Sequence, residues 1–91
     1  MVFDPLVEAI RGALRALDAD PRNASRYFTL IEAYEKCADK ESEPELLEQA
    51  EYVIRDAKKL SLTPEEARRL TGLELRVSTL LQRLRAGDGK A

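Results

Sequence analysis

Apolar residues recur along this chain at the three- and four-residue spacing of a helix, and they do so in four separate stretches. Leu6, Ile10, Ala13, Leu14 and Leu17 lay one apolar stripe along a first helix. Asp4 before Pro5 marks its start, because a carboxylate caps free N–H groups and a proline lacks one where none is needed. Asp20 and Pro21 repeat that pair, which predicts a second helix from Pro21 with Ala24, Tyr27, Phe28, Ile31, Tyr34 and Ala38 on its buried face.

Ser42 and Glu45 have the spacing of a capping box and predict a third helix carrying Leu46, Ala50, Val53, Ala57 and Leu60. Thr63 and Glu66, with Pro64 between them, predict a fourth that runs to Arg85. The remainder, 86–91, reads as a flexible C-terminal tail, which leaves residues 1–85 as a single helical domain. The expected fold is all-α: a four-helix antiparallel bundle or a set of helical hairpins.

Composition supports that class. The 91 residues are enough for one core without a staple. With 35% charged and only 5% aromatic residues, the chain suits solvated helices better than sheets. The net charge of −2 is far from the basic footprint of a dedicated nucleic-acid binder, although bases outnumber acids after Leu62. A lone cysteine, Cys37, cannot cross-link the fold, and Met1–Pro5 lacks the basic and apolar regions of a secretory leader. No apolar run reaches the ~18 residues of a membrane span. A cytoplasmic location without membrane association is therefore expected.

Two stretches look alike. Pro21–Leu30 aligns on Pro64–Leu73, with Pro, Ala, Arg and Leu coinciding, and Tyr34 falls opposite Val77. Ala9, Ala13 and Ala16 align on Ala50, Ile54 and Ala57. Tyr27, Leu30 and Tyr34, followed by Ala50, Ile54, Ala57 and then Pro64, resemble the two helices of a tetratricopeptide (TPR) repeat. The resemblance implies stacked helical hairpins that bind a protein partner on an inner face. The spacing from Pro21 to Pro64 exceeds the ~34 residues of a TPR unit, and Ile31 stands where a small residue is expected. Phe28 and Glu32 occupy positions that hold Lys and Asn in chaperone-binding TPRs, so a carboxylate ligand is not implied. The inner face would instead present Phe28, Glu32 and Glu35.

Chemistry-bearing constellations are absent. The chain has no histidine, which removes the commonest general base and most zinc sites. Cys37 lies near an apolar face and reads as a buried thiol. Glu41, Glu45 and Glu48 lack the spacing of a calcium loop. Gly12 and Gly72 sit alone inside helical patterns, where close helix packing would account for them. An enzyme is not expected, nor any cofactor, metal or small-molecule substrate.

The fourth helix carries the functional expectation. Leu70, Leu73, Val77, Leu80 and Leu84 alternate by three and four like a coiled-coil seam, flanked by Arg69, Arg76 and Arg83. Leu75 and Leu81 lie off the seam, so this helix is apolar on more than one side. The expected function is a small protein–protein interaction module, an adaptor, chaperone-like or assembly subunit. It would bind a partner or its own copy through Leu75, Leu81 and Leu84 or through the inner face. The alternative is a nucleic-acid-binding subunit of an oligomer, with Arg69, Arg76 and Arg83 as phosphate contacts.

Overall fold

A computed structural model describes residues 4–88, which form four helices and no strand: α1 (Pro5–Ala19), α2 (Ala24–Glu41), α3 (Pro44–Ala57) and α4 (Pro64–Asp88). The all-α expectation holds. Two of the four predicted starts are also as read. The Asp4 carboxylate accepts from the Leu6 N–H at 2.9 Å, with Pro5 in the first turn. Thr63 and Glu66 form the reciprocal box: the Glu66 N–H donates to Thr63 Oγ1 at 3.1 Å, and the Thr63 N–H donates to Glu66 Oε1 at 2.9 Å.

The other two starts differ. Helix α2 begins at Ala24, capped by Asn23, whose Oδ1 accepts from the Ser25 N–H at 3.0 Å. Asp20 instead closes α1, donating its backbone N–H to the carbonyls of Ala16 and Leu17. Pro21 lies in the turn between, where its carbonyl accepts from the Tyr27 hydroxyl at 2.7 Å. The predicted box of Ser42 and Glu45 does not form either. A residue before proline is pushed out of the helical region, so α3 starts only at Pro44, behind Glu43, which makes no side-chain cap. Ser42 is then needed to reverse the chain, in the left-handed conformation at φ 53°. The Glu43 N–H reaches back to the Ala38 carbonyl, the six-to-one bond of a Schellman ending.

Helix α4 also runs past Arg85 to Asp88, so 86–88 continue the helix, and the rest of the expected tail lies outside the described residues.

Helix α2 is the hub. It packs on α1, α3 and α4, and α3 packs on α4, whereas α1 meets α2 alone among the described residues. Leu30, Ile31 and Ala38 of α2 and Leu47, Ala50 and Ala57 of α3 are fully buried. The alanines let the helix axes approach closely while the larger side chains fill the remaining space. The result is an open helical bundle, a three-helix core with α1 along one flank, 44 × 33 × 16 Å. That openness explains α1. Its stripe is strongly apolar, yet only Ala13 is buried, and Leu14 stays 42% exposed.

Close packing does not account for the two internal glycines. Gly12 and Gly72 are exposed, and a Cβ at either would meet nothing within 4 Å. Replacing a mid-helix glycine by alanine lowers the entropy cost of helix formation. Gly12→Ala and Gly72→Ala should each raise the stability by about 0.5–1 kcal/mol, read as a higher urea midpoint at unchanged slope.

Candidate interaction surface

The seam of α4 faces inwards. Leu70, Leu73, Val77 and Leu80 are at most 7% exposed and join the core of α2 and α3, with Leu84 packed at its edge. Leu81 joins them at 5% exposure, against the expectation that it meets a partner. The reason is that α4 has two neighbours. Contact with both α2 and α3 widens its buried sector beyond a coiled-coil seam, and Leu81 falls in the added part. Phe28 is likewise corrected: at 2% exposure it belongs to the core, and the Arg69 guanidinium lies over its ring at 5.1 Å.

The flanks of α4 are laced to its neighbours by ion pairs. Arg69 meets Glu32 at 3.3 Å, Arg76 grips Glu35 through two hydrogen bonds, the Nε to Oε2 bond being 3.1 Å, and Arg83 meets Asp39 at 3.7 Å. On the other flank Lys58 meets Glu74 at 2.7 Å and Arg85 meets Glu48 at 2.9 Å. The pairs to α2 ascend together along both helices, so α2 and α4 run parallel, while those to α3 run antiparallel. Half-exposed pairs of this kind contribute only about 0–1 kcal/mol each. The inner-face Glu32 and Glu35 are therefore engaged with Arg69 and Arg76, and Arg83 with Asp39. The acidic neighbour of each arginine is not legible in the sequence, because it comes from a different helix.

What remains outward on α4 is a stripe without acids: Arg68, Gly72, Leu75, Thr79, Gln82 and Ala86, all exposed and spaced by three and four. Leu75 is 68% exposed, the most exposed large apolar residue of the chain's described part. It stands on a ridge between two grooves. One, of about 510 Å³, lies towards α3 and is lined by Ile54, Arg55, Lys58 and Ser78. The other, of about 500 Å³, lies towards α2 and is lined by Lys36, Asp39, Leu80 and Arg83. Of the residues expected to bind a partner, Leu75 is thus presented, Leu84 is half covered, and Phe28 and Leu81 are enclosed. Tyr52 of α3 is 58% exposed, with the Arg55 guanidinium 5.4 Å from its ring centroid. Sequence reasoning misses it, since a lone tyrosine on an acidic helix gives no signal.

Cys37 is buried, and burial, reinforced by the nearby carboxylates of Asp4, Glu41 and Glu43 against Lys40, raises its thiol above the usual range. It is protonated at neutral pH and a poor nucleophile. No group of three or more potential metal ligands occurs among the described residues, and no described helix is long and apolar enough to cross a membrane. No protein-family model, curated protein or solved structure matches the chain.

Proposed function

We propose that this domain is a small protein–protein interaction module whose partner surface is the outer face of α4 around Leu75. One observation carries the reading: a leucine left 68% exposed on a ridge flanked by two grooves, on a helix that buries Leu70, Leu73, Leu80 and Leu81. A ridge between grooves is the relief that a second helix packs against. An exposed apolar anchor within a polar rim has the layout of an interface centre.

A TPR-like arrangement is part of the same proposal. It is supported by the parallel α2 and α4 with antiparallel α3 between them, and by the buried Ala50, Ile54 and Ala57. Tyr27 and Leu30 of α2 are buried as Leu70 and Leu73 of α4 are, whereas Ala24 is buried and its counterpart Ala67 is exposed. In such an array the outer face of α4 is where a following helix would stack.

The nucleic-acid alternative would require Arg69, Arg76 and Arg83 to exchange the carboxylates of α2 for phosphates, and no observation favours it.

Leu75→Asp tests the proposal. The variant should keep its stability within about 0.5 kcal/mol, as surface substitutions do, and weaken partner binding or self-association at least about ten-fold. Light scattering over a concentration series reads self-association, and parallel affinity capture with wild type and variant reads a foreign partner. A monomer whose captured proteins are identical with and without Leu75 would refute it.

A further inference from the structure

A second concave surface lies away from α4, at the opposite side of α2. Because α1 does not touch α3, a gap opens between them over the C-terminal half of α2, about 520 Å³ in volume. Its floor is apolar: Val7 and Ile10 of α1, Tyr34 and Cys37 of α2, and Leu46 of α3. Val7 is 38% exposed here, on a helix whose apolar stripe is only half covered. The rim is acidic. Asp4, Glu41 and Glu43 converge on it from the start of α1, the end of α2 and the cap of α3. The single cation among the described lining residues, Arg11, is 3.6 Å from Glu8. Glu41 and Glu43 have no ion-pair partner among the described residues, unlike Glu32, Glu35, Glu48 and Glu74, which are all paired across helices. Burial first, and then Asp4, Glu41 and Glu43 against Lys40, push the Cys37 thiol upward, in keeping with the place of these carboxylates beside the floor.

We propose that this groove is a second docking site, for a peptide segment of a protein partner that places an apolar side chain over Tyr34 and Cys37 and flanking lysine or arginine against Asp4, Glu41 and Glu43. The occupant follows from the two chemistries present together. An apolar floor rewards burial of one aliphatic side chain. Three carboxylates around it favour cations and repel an acidic segment, which sets the choice of partner more than the affinity. A second copy of this domain fits poorly. Its own apolar outer ridge around Leu75 is flanked by Glu35, Asp39, Glu51 and Glu74 as well as by Lys36, Arg55, Lys58 and Arg83, so the acidic rim would face carboxylates there together with cations. The proposal rests on the reading of this chain as an interaction module, but not on the α4 surface.

The test is a titration of the full chain, followed by amide chemical shifts, with an acetylated and amidated heptapeptide Gly-Lys-Lys-Leu-Lys-Lys-Gly. Shifts confined to residues around Val7, Tyr34, Cys37 and Leu46 are expected. They should diminish when the peptide leucine is replaced by serine, when its lysines are replaced by glutamates, and in 0.5 M salt. Glu41→Lys combined with Glu43→Lys should weaken the binding about five- to ten-fold, with the helical circular dichroism unchanged. Cys37 supplies an independent readout: its labelling by a thiol reagent should slow in the presence of the peptide. Leu75→Asp should leave all of these unchanged, so failure of the α4 surface and failure of this groove are told apart. The proposal is overturned if the lysine and glutamate peptides act alike, if the shifts spread over α4 instead, or if the groove signals move with protein concentration alone, which would make a second copy the occupant.

Discussion

Leu81→Asp is expected to unfold the domain rather than to deprive it of a partner. On the helical wheel of α4, Leu81 is off the coiled-coil seam and looks available, yet it is 5% exposed within the cluster formed with α2 and α3. The change removes a buried leucine, whose burial stabilises by about 1.5–3 kcal/mol. It also introduces a carboxylate with no partner, and the described part of the domain buries no polar or charged residue that could receive it. Together these should cost more than about 4 kcal/mol, a large share of the ~5–15 kcal/mol that holds a domain of this size. Loss of the cooperative thermal transition, with collapse of the amide spectrum, is the expected result. A variant that melts like the wild type would place Leu81 outside the core and undo the account of α4.

Phe28→Ala should be nearly as damaging, with Glu32→Gln as its counterpart. Both positions belong to the inner face that the sequence offers to a ligand, one helical turn apart on α2. Phe28 is 2% exposed, so truncating it leaves a cavity among Leu70, Leu73 and their neighbours and removes the ring beneath Arg69. A cost of about 3–5 kcal/mol is expected, which lowers the melting temperature by roughly 15 °C or more at this chain length. Glu32 loses only a half-exposed ion pair to Arg69 at 3.3 Å, and its substitution should cost less than about 1 kcal/mol. The two melts side by side check the division. Equal effects would mean that the ion pairs, not the apolar core, hold α4 to α2.

The leucines of the last helix show what a sequence pattern carries and what it leaves open. Periodicity fixes the angle between residues around a helix, so spacing alone puts Leu75 and Leu81 on different sides of the seam. It does not state how many neighbours a helix has. With two, the buried sector of α4 grows to take in Leu81 and stops short of Leu75, and the surface on which the functional proposal rests is the remainder. The same holds for the arginines. Their regular spacing is legible, but the carboxylates that neutralise them come from α2, and only the packing of α4 parallel to α2 brings the two rows together.

By itself, the sequence determined what is local. The three- and four-residue spacing of apolar positions set four helices, and Asp4 with Pro5 and Thr63 with Glu66 set two of their starts, because a cap acts within a single turn. Tertiary structure decided between competing local signals. Asp20 and Asn23 can both cap; closure of α1 by Asp20 and the bond from Tyr27 to Pro21 leave the role to Asn23. Ser42 can cap or turn, and the two-residue reversal that lets α3 pack on α2 requires the turn. It also decided that α1 stays at the edge, meeting α2 and not α3, which leaves the groove over Cys37 open. Burial of a stripe depends on which helices arrive beside it, and that is a property of the assembled chain rather than of any segment.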